Sequence, residues 1–124
     1  MLQPIIISPG QKDQSKIASG SSFVIHEWRG SGPDYLHVHY EDDEAWYVLE
    51  GTLTFRFSDR SIQAPKGTMV FAPAGVAHTY SADSDSRYLI ILTPRLEALI
   101  AELQAAPYSS HASIMKKYKS EIVT

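Results

Sequence analysis

The apolar residues change their spacing at one point, and that change dictates the fold. Up to about Thr93 they alternate with polar residues or cluster in short runs bounded by Gly, Pro, Ser and Asp. Beyond Pro94 they follow helical spacing. Alternation over a few residues is the pattern of a half-buried strand, because successive side chains point to opposite faces. The runs Pro4–Ser8, Ser22–Trp28, Tyr35–Tyr40, Glu44–Leu49, Thr52–Ser58, Ser61–Ala64, Thr68–Ala72, His78–Ala82 and Arg87–Thr93 read as strands. Many short strands with Gly and Pro turns argue for a sandwich or barrel.

Turn chemistry adds local detail. Glu50-Gly51 suits a tight hairpin between its flanking strands, with glycine supplying a positive φ. Ala64-Pro65-Lys66-Gly67 and Ala72-Pro73-Ala74-Gly75 each place Pro second and Gly fourth, the preference of a type I turn. In the tail, Leu96, Leu99, Ile100 and Leu103 fall on one helical face. Pro94 suits the first helical turn, and Pro107 marks a stop. A second helical run, Ile114, Tyr118 and Ile122, follows, with Lys116-Lys117 on its solvent side. Both helices are expected against the outside of the barrel or over one end.

The 124 residues fit a single domain with a core of its own, the barrel over about 1–93 and the helical tail over about 94–124. A net charge of −3 gives no basic surplus, so no nucleic-acid partner is expected. No run reaches the length of a membrane span, and the first residues lack the basic segment of a signal peptide. A cytoplasmic protein with no membrane partner is the expectation. The absence of cysteine excludes disulfides, thiolate catalysis and sulfur-ligated metal sites.

Within this β pattern lie His37-Val38-His39, Glu44 and His78. On a strand, His37 and His39 share one face. Three imidazoles and one carboxylate converging in a barrel would form a mixed nitrogen–oxygen site for a divalent transition metal. Manganese, iron, nickel, zinc, cobalt and copper all suit such a set, and no thiolate is present to select among them. The acidic run Glu41-Asp42-Asp43-Glu44 also reads as a solvated loop. Strand alternation with Trp46 and Val48 favours Glu44 over Asp43 as the inward carboxylate, and a calcium loop would not need the histidines. Each histidine taken singly would more often be an ordinary hydrogen-bonding residue. That reading is kept for His26, while His111, between the two helices, is expected at the surface.

The residues resemble the cupin superfamily. Gly32, His37, His39, Glu44 and Gly51 match its first motif, with the Gly32–His37 gap one residue short. Gly67, Pro73, Gly75 and His78 match its second motif, and Ala82 occupies the position usual for Asn. The resemblance implies an all-β fold: a small antiparallel jelly-roll (double-stranded β-helix) barrel with a C-terminal α-helical extension. It implies His37, His39, Glu44 and His78 as metal ligands near one mouth of the barrel. The Ala82 departure removes no ligand but puts the hydrogen bonding after the last histidine in doubt. A homodimer is also implied, and the exposed edges of a partly open barrel give pairing a physical motive.

Trp28, Tyr35, Trp46, Phe55, Phe57, Phe71, Tyr80 and Tyr88 are mostly expected in the core. Tyr35 and Tyr80 lie at even separations from His37 and His78, so they share faces with them. They suit a substrate pocket and core packing equally well. The leading expectation is a metal-dependent oxidoreductase resembling the quercetin dioxygenase-like small cupins, acting on a small organic molecule, with Glu44 doubling as proton acceptor. Alternatives are isomerase or lyase chemistry on a sugar or keto acid, in which Glu27 and Arg29 could serve, a non-enzymatic ligand sensor, and a metal that only stabilises the barrel.

Overall fold

The computed structural model describes residues 3–9 and 17–123. Among the described residues, ten strands form two five-stranded antiparallel sheets. One holds β1 (Ile17–Ser19), β2 (Val24–Trp28), β4 (Glu44–Glu50), β7 (Met69–Ala72) and β9 (Arg87–Leu92), in the order β1-β2-β9-β4-β7. The other holds β3 (His37–His39), β5 (Thr52–Phe57), β6 (Ser61–Pro65), β8 (His78–Ala82) and β10 (Ser120–Ile122), in the order β10-β3-β8-β5-β6. This is the jelly-roll architecture. Two helices, α1 (Pro94–Gln104) and α2 (His111–Lys117), stand between β9 and β10, with a 3-10 turn at Tyr108–Ser110.

The alternation read from the sequence sets the inner faces. Glu44, Trp46 and Val48 of β4 are buried, as are Tyr88, Ile90 and Leu92 of β9 and Leu53 and Phe55 of β5. Each fully buried residue of this size contributes about 1.5–3 kcal/mol by leaving water. Phe71 departs from the expected core. It sits on the outer face of β7 and is 54% exposed, since the inward positions of that strand belong to Val70 and Ala72.

The tail attaches through its own signals. The Thr93 hydroxyl accepts a hydrogen bond from Leu96 N–H at 3.2 Å, capping α1 just before Pro94. Leu96 and Leu99 are buried beneath α1, and Met115 beneath α2. His26 is held by Glu97 of α1 at 2.7 Å, so it ties β2 to the helix, an ordinary hydrogen-bonding role.

Several local expectations are corrected. Residues 3–8 form no strand, and Ile5, Ile6 and Ile7 are exposed. Strand propensity is a weak preference, and composition alone does not make a strand. Glu50-Gly51 is not a hairpin: β4 pairs with β7 and β9, whereas β5 pairs with β6 and β8. Here the chain crosses from one sheet to the other. Gly51, at φ +75°, is packed so tightly that a Cβ would come within 2.7 Å of Ser86 Cα. The two Pro–Gly turns are shifted by one residue. Thr68 N–H bonds to Pro65 C=O and Val76 N–H to Pro73 C=O. That places Gly67 and Gly75 third in their turns with φ near +90°, the type II requirement.

The second helical run also stops short. α2 ends at Lys117, Lys119 takes a left-handed φ of 58°, and the chain reverses into β10. Ile122 is therefore on a strand. β1 and β10, two strands the sequence reading lacks, each have three residues and too little alternation to read.

Candidate metal centre

β3, β4 and β8 meet at one end of the barrel interior. β3 supplies His37 and His39, both buried, from one face of a three-residue strand. Glu44 opens β4 and His78 opens β8. One possible donor atom from each of the four lies within 4.8 Å of the other three. His78 Nε2 is 3.1 Å and His39 Nε2 3.3 Å from Glu44 Oε1. The three imidazole rings stand 4.6–5.3 Å apart between centroids. Asp43 points elsewhere, and its carboxylate accepts the Ala74 N–H at 2.8 Å.

The outward nitrogens decide what the inward ones can do. His37 Nδ1 lies 3.3 Å from Tyr35 C=O, and His78 Nδ1 lies 2.9 Å from Val76 C=O. A carbonyl can only accept, so both Nδ1 atoms carry a proton, which leaves Nε2 as the atom free to bind a metal once any proton it shares with Glu44 is displaced. His39 Nδ1 is 2.8 Å from Ser120 Oγ, which in turn donates to Tyr118 C=O at 3.2 Å. This is the orientation that metal-ligating histidines require.

The charges point the same way. Burial alone would raise the Glu44 carboxyl, but hydrogen bonds and charge from His39 and His78 outweigh it and hold the group down at about 2. Burial alone would lower His78. The Glu44 hydrogen bond and charge outweigh it, so its pKa is raised. Burial, with His78 and His39 alongside, pushes His37 down to about 3. A buried carboxylate ringed by imidazoles calls for a cation, which a divalent metal would supply. The donor set fits the group that the sequence implies.

A cavity of about 380 Å³ opens above these residues. Tyr35 and Tyr80 both line it, so the structure places both beside the cluster. Trp28, Trp46, Tyr88 and residues of both helices complete walls that are mostly aromatic and aliphatic. Gly32 is required here, since a Cβ would meet the Tyr80 ring at 2.8 Å. The hydrogen bonding after His78 is intact: Ala82 N–H donates to Ser31 Oγ at 2.9 Å and Gly32 N–H to Tyr80 C=O at 3.0 Å. Arg29 is at the cavity and exposed. Glu27 is paired with Arg87 at 3.1 Å and does not line the cavity.

Two residues of this region lie outside the set read from the sequence. His111, expected at the surface, lines the cavity and accepts from the Tyr35 hydroxyl at 2.9 Å, while its other nitrogen donates to Leu103 C=O. Ser120 is buried against His39. Neither carries a local signal, because each reaches the site through the fold of the tail.

The Cupin domain family model matches residues 21–93, more than half the chain, and the chain belongs to the cupin family. Uncharacterized protein SCO3923 of Streptomyces coelicolor is 32% identical over 56 residues, 44% of this chain and 53% of that protein. The chain thus matches about half the length of that curated relative. A cupin-2 domain protein of Shewanella frigidimarina superposes with a TM-score of 0.52 at 27% identity, covering 68% of this chain and 83% of that one. A cupin-superfamily sugar phosphate isomerase of Silicibacter pomeroyi does so with a TM-score of 0.50 at 25% identity, covering 59% and 51%. No described helix is long and apolar enough to cross a membrane.

Proposed function

We propose that this cupin is a metal-dependent oxidoreductase of the dioxygenase type, acting on a small, largely apolar organic molecule that carries paired oxygen atoms. The observation that carries this reading is one carboxylate and three imidazoles at the floor of a cavity walled by aromatic and aliphatic side chains. A divalent transition metal bound by His37, His39, Glu44 and His78 would leave open positions for substrate oxygens and O₂. The residues around it have separate tasks. Tyr80, Trp46, Leu99 and Leu103 exclude water and pack against the carbon skeleton. Tyr35, fixed by His111, offers its hydroxyl oxygen as an acceptor at the wall. Glu44, ionised at neutral pH, would take the proton from a substrate hydroxyl when its bond to the metal loosens.

Lewis-acid isomerisation or lyase action on a sugar or keto acid is the second reading. The likeness to the Silicibacter sugar phosphate isomerase favours it. Against it, Glu44 is the one carboxylate among the described residues that lines the cavity, and Glu27 is paired with Arg87. Oxygen uptake with candidate catechols and other vicinal diols, with and without each metal, tests the choice. Metal-dependent oxygen consumption supports the first reading. Turnover that persists without O₂ overturns it in favour of the second. Tight binding without turnover points to a ligand sensor.

We also propose that two copies pair through the outer face of the β7-edged sheet. Met69 and Phe71 of the edge strand, with Tyr47 beside Met69, expose apolar surface there. An antiparallel edge is its own complement about a two-fold axis, which makes a second copy the natural partner.

A further inference from the structure

We propose that Ser120, from the tail strand β10, is the positioning residue that holds His39 for the metal. This rests on the metal site proposed above. The three histidines are oriented in different ways. His37 and His78 each donate Nδ1–H to a backbone carbonyl two residues earlier in the chain, at Tyr35 and Val76. Those supports belong to β3 and β8 and the turns that lead into them. His39 has no such carbonyl. Its Nδ1 is 2.8 Å from a hydroxyl 81 residues away in sequence.

The direction of that bond follows from its far end. Ser120 Oγ is 3.2 Å from Tyr118 C=O, which can only accept. The hydroxyl proton goes to Tyr118, and the oxygen accepts the His39 Nδ1–H. Nε2 of His39 is then the nitrogen left for a metal, on the side where Glu44 Oε1 lies 3.3 Å away. Ser120 is 2% exposed, so water cannot readily take the place of its hydroxyl.

The backbone supports the same role. Ser120 stands opposite His39 and Ile122 opposite His37, which makes β10 the outer neighbour of the strand bearing two of the four residues. Lys119, at φ 58°, reverses the chain out of α2, and its C=O accepts from Tyr40 N–H at 3.0 Å. The family match ends at residue 93, so this support comes from the part of the chain beyond the matched region. The tail thus does more than roof the cavity. It fixes the tautomer and ring orientation of one ligand.

The test compares the wild type, Ser120→Ala and Ser120→Thr by zinc titration against a competing chelator. It adds nitrogen-15 NMR of the histidine rings in the zinc-loaded proteins. Loss of an outer partner of a metal ligand typically costs about 10- to 100-fold in affinity. Ser120→Ala is expected to bind zinc weaker by that factor and to lose the protected Nδ1–H signal of His39, with the signals of His37 and His78 kept. Ser120→Thr, which keeps the hydroxyl, is expected to restore both. Equal zinc affinity in Ser120→Ala and the wild type would overturn the inference while leaving the metal site standing. A wild type that binds no zinc and no other transition ion would overturn both. If Ser120→Ala does not fold, the zinc-loaded wild type still decides: a His39 ring protonated on Nε2 and bound through Nδ1 would contradict the assignment.

Discussion

His37 and His78 stand directly opposite each other where β3 pairs with β8, their ring centroids 4.6 Å apart. Burial and this proximity keep His37 neutral, at about 3, so it is ready to bind metal across the ordinary pH range. His78 is the opposite case, raised above its usual 6.5 because Glu44 outweighs its burial. Its proton must leave when metal binds. Affinity therefore falls as pH drops, starting above pH 6.5, by about tenfold per unit for one displaced proton. Metal titrations between about pH 5 and 8 check this, and a flat profile would contradict it.

Glu44 and its neighbour Asp43 make a matched pair of controls. Glu44→Gln removes the ionised donor and is expected to lower metal affinity by at least about tenfold. Asp43→Asn weakens only the bond to Ala74 N–H, costing about 1 kcal/mol of stability with metal binding unchanged. Chelator competition and thermal unfolding separate the two effects. The reverse pattern would put the wrong carboxylate at the site.

Tyr80 donates to Tyr88, and Tyr88 donates to Gly30 C=O, at 2.7 and 2.8 Å. Burial pushes the Tyr88 hydroxyl up to about 12 and Tyr80 well above its usual 10. The unfolded chain ionises these groups first, so it gains stability relative to the native state as pH rises past 10. The fold should lose about 2 kcal/mol from Tyr88 alone between pH 10 and 12. In Tyr88→Phe that alkaline slope is expected to flatten, at a cost of about 1 kcal/mol at neutral pH. Denaturant melts at several pH values measure both.

Phe71 and Met69, 54% and 67% exposed on the edge strand, give the pairing proposal a simple test. Phe71→Glu is expected to yield monomers in light scattering, with metal content as in the wild type, since Phe71 does not line the cavity. A wild type that is monomeric at every concentration would contradict the pairing.

The four converging residues were legible because each lies where alternation alone sets its face. Glu44 shares its side with Trp46 and Val48, and His37 shares its side with His39. The supports of those residues were not legible. Ile114, Tyr118 and Ile122 keep helical spacing through the point where Lys119 turns the chain into β10. Only the open flank of β3, a tertiary feature, makes Ser120 a strand residue. Likewise Glu50-Gly51 reads the same whether the chain folds back or crosses between sheets, and the partners of β4 and β5 decide which. Pro4–Ser8 has the composition of a strand and does not form one.

The most direct measurement is the metal content per chain of the wild type and His78→Ala, loaded with the same transition ion and then desalted. His37, His39, Glu44 and His78 gripping one ion together predicts one ion per wild-type chain and the loss of most of it in His78→Ala. Equal metal in the two proteins, or none in the wild type with any of the candidate ions, would contradict it.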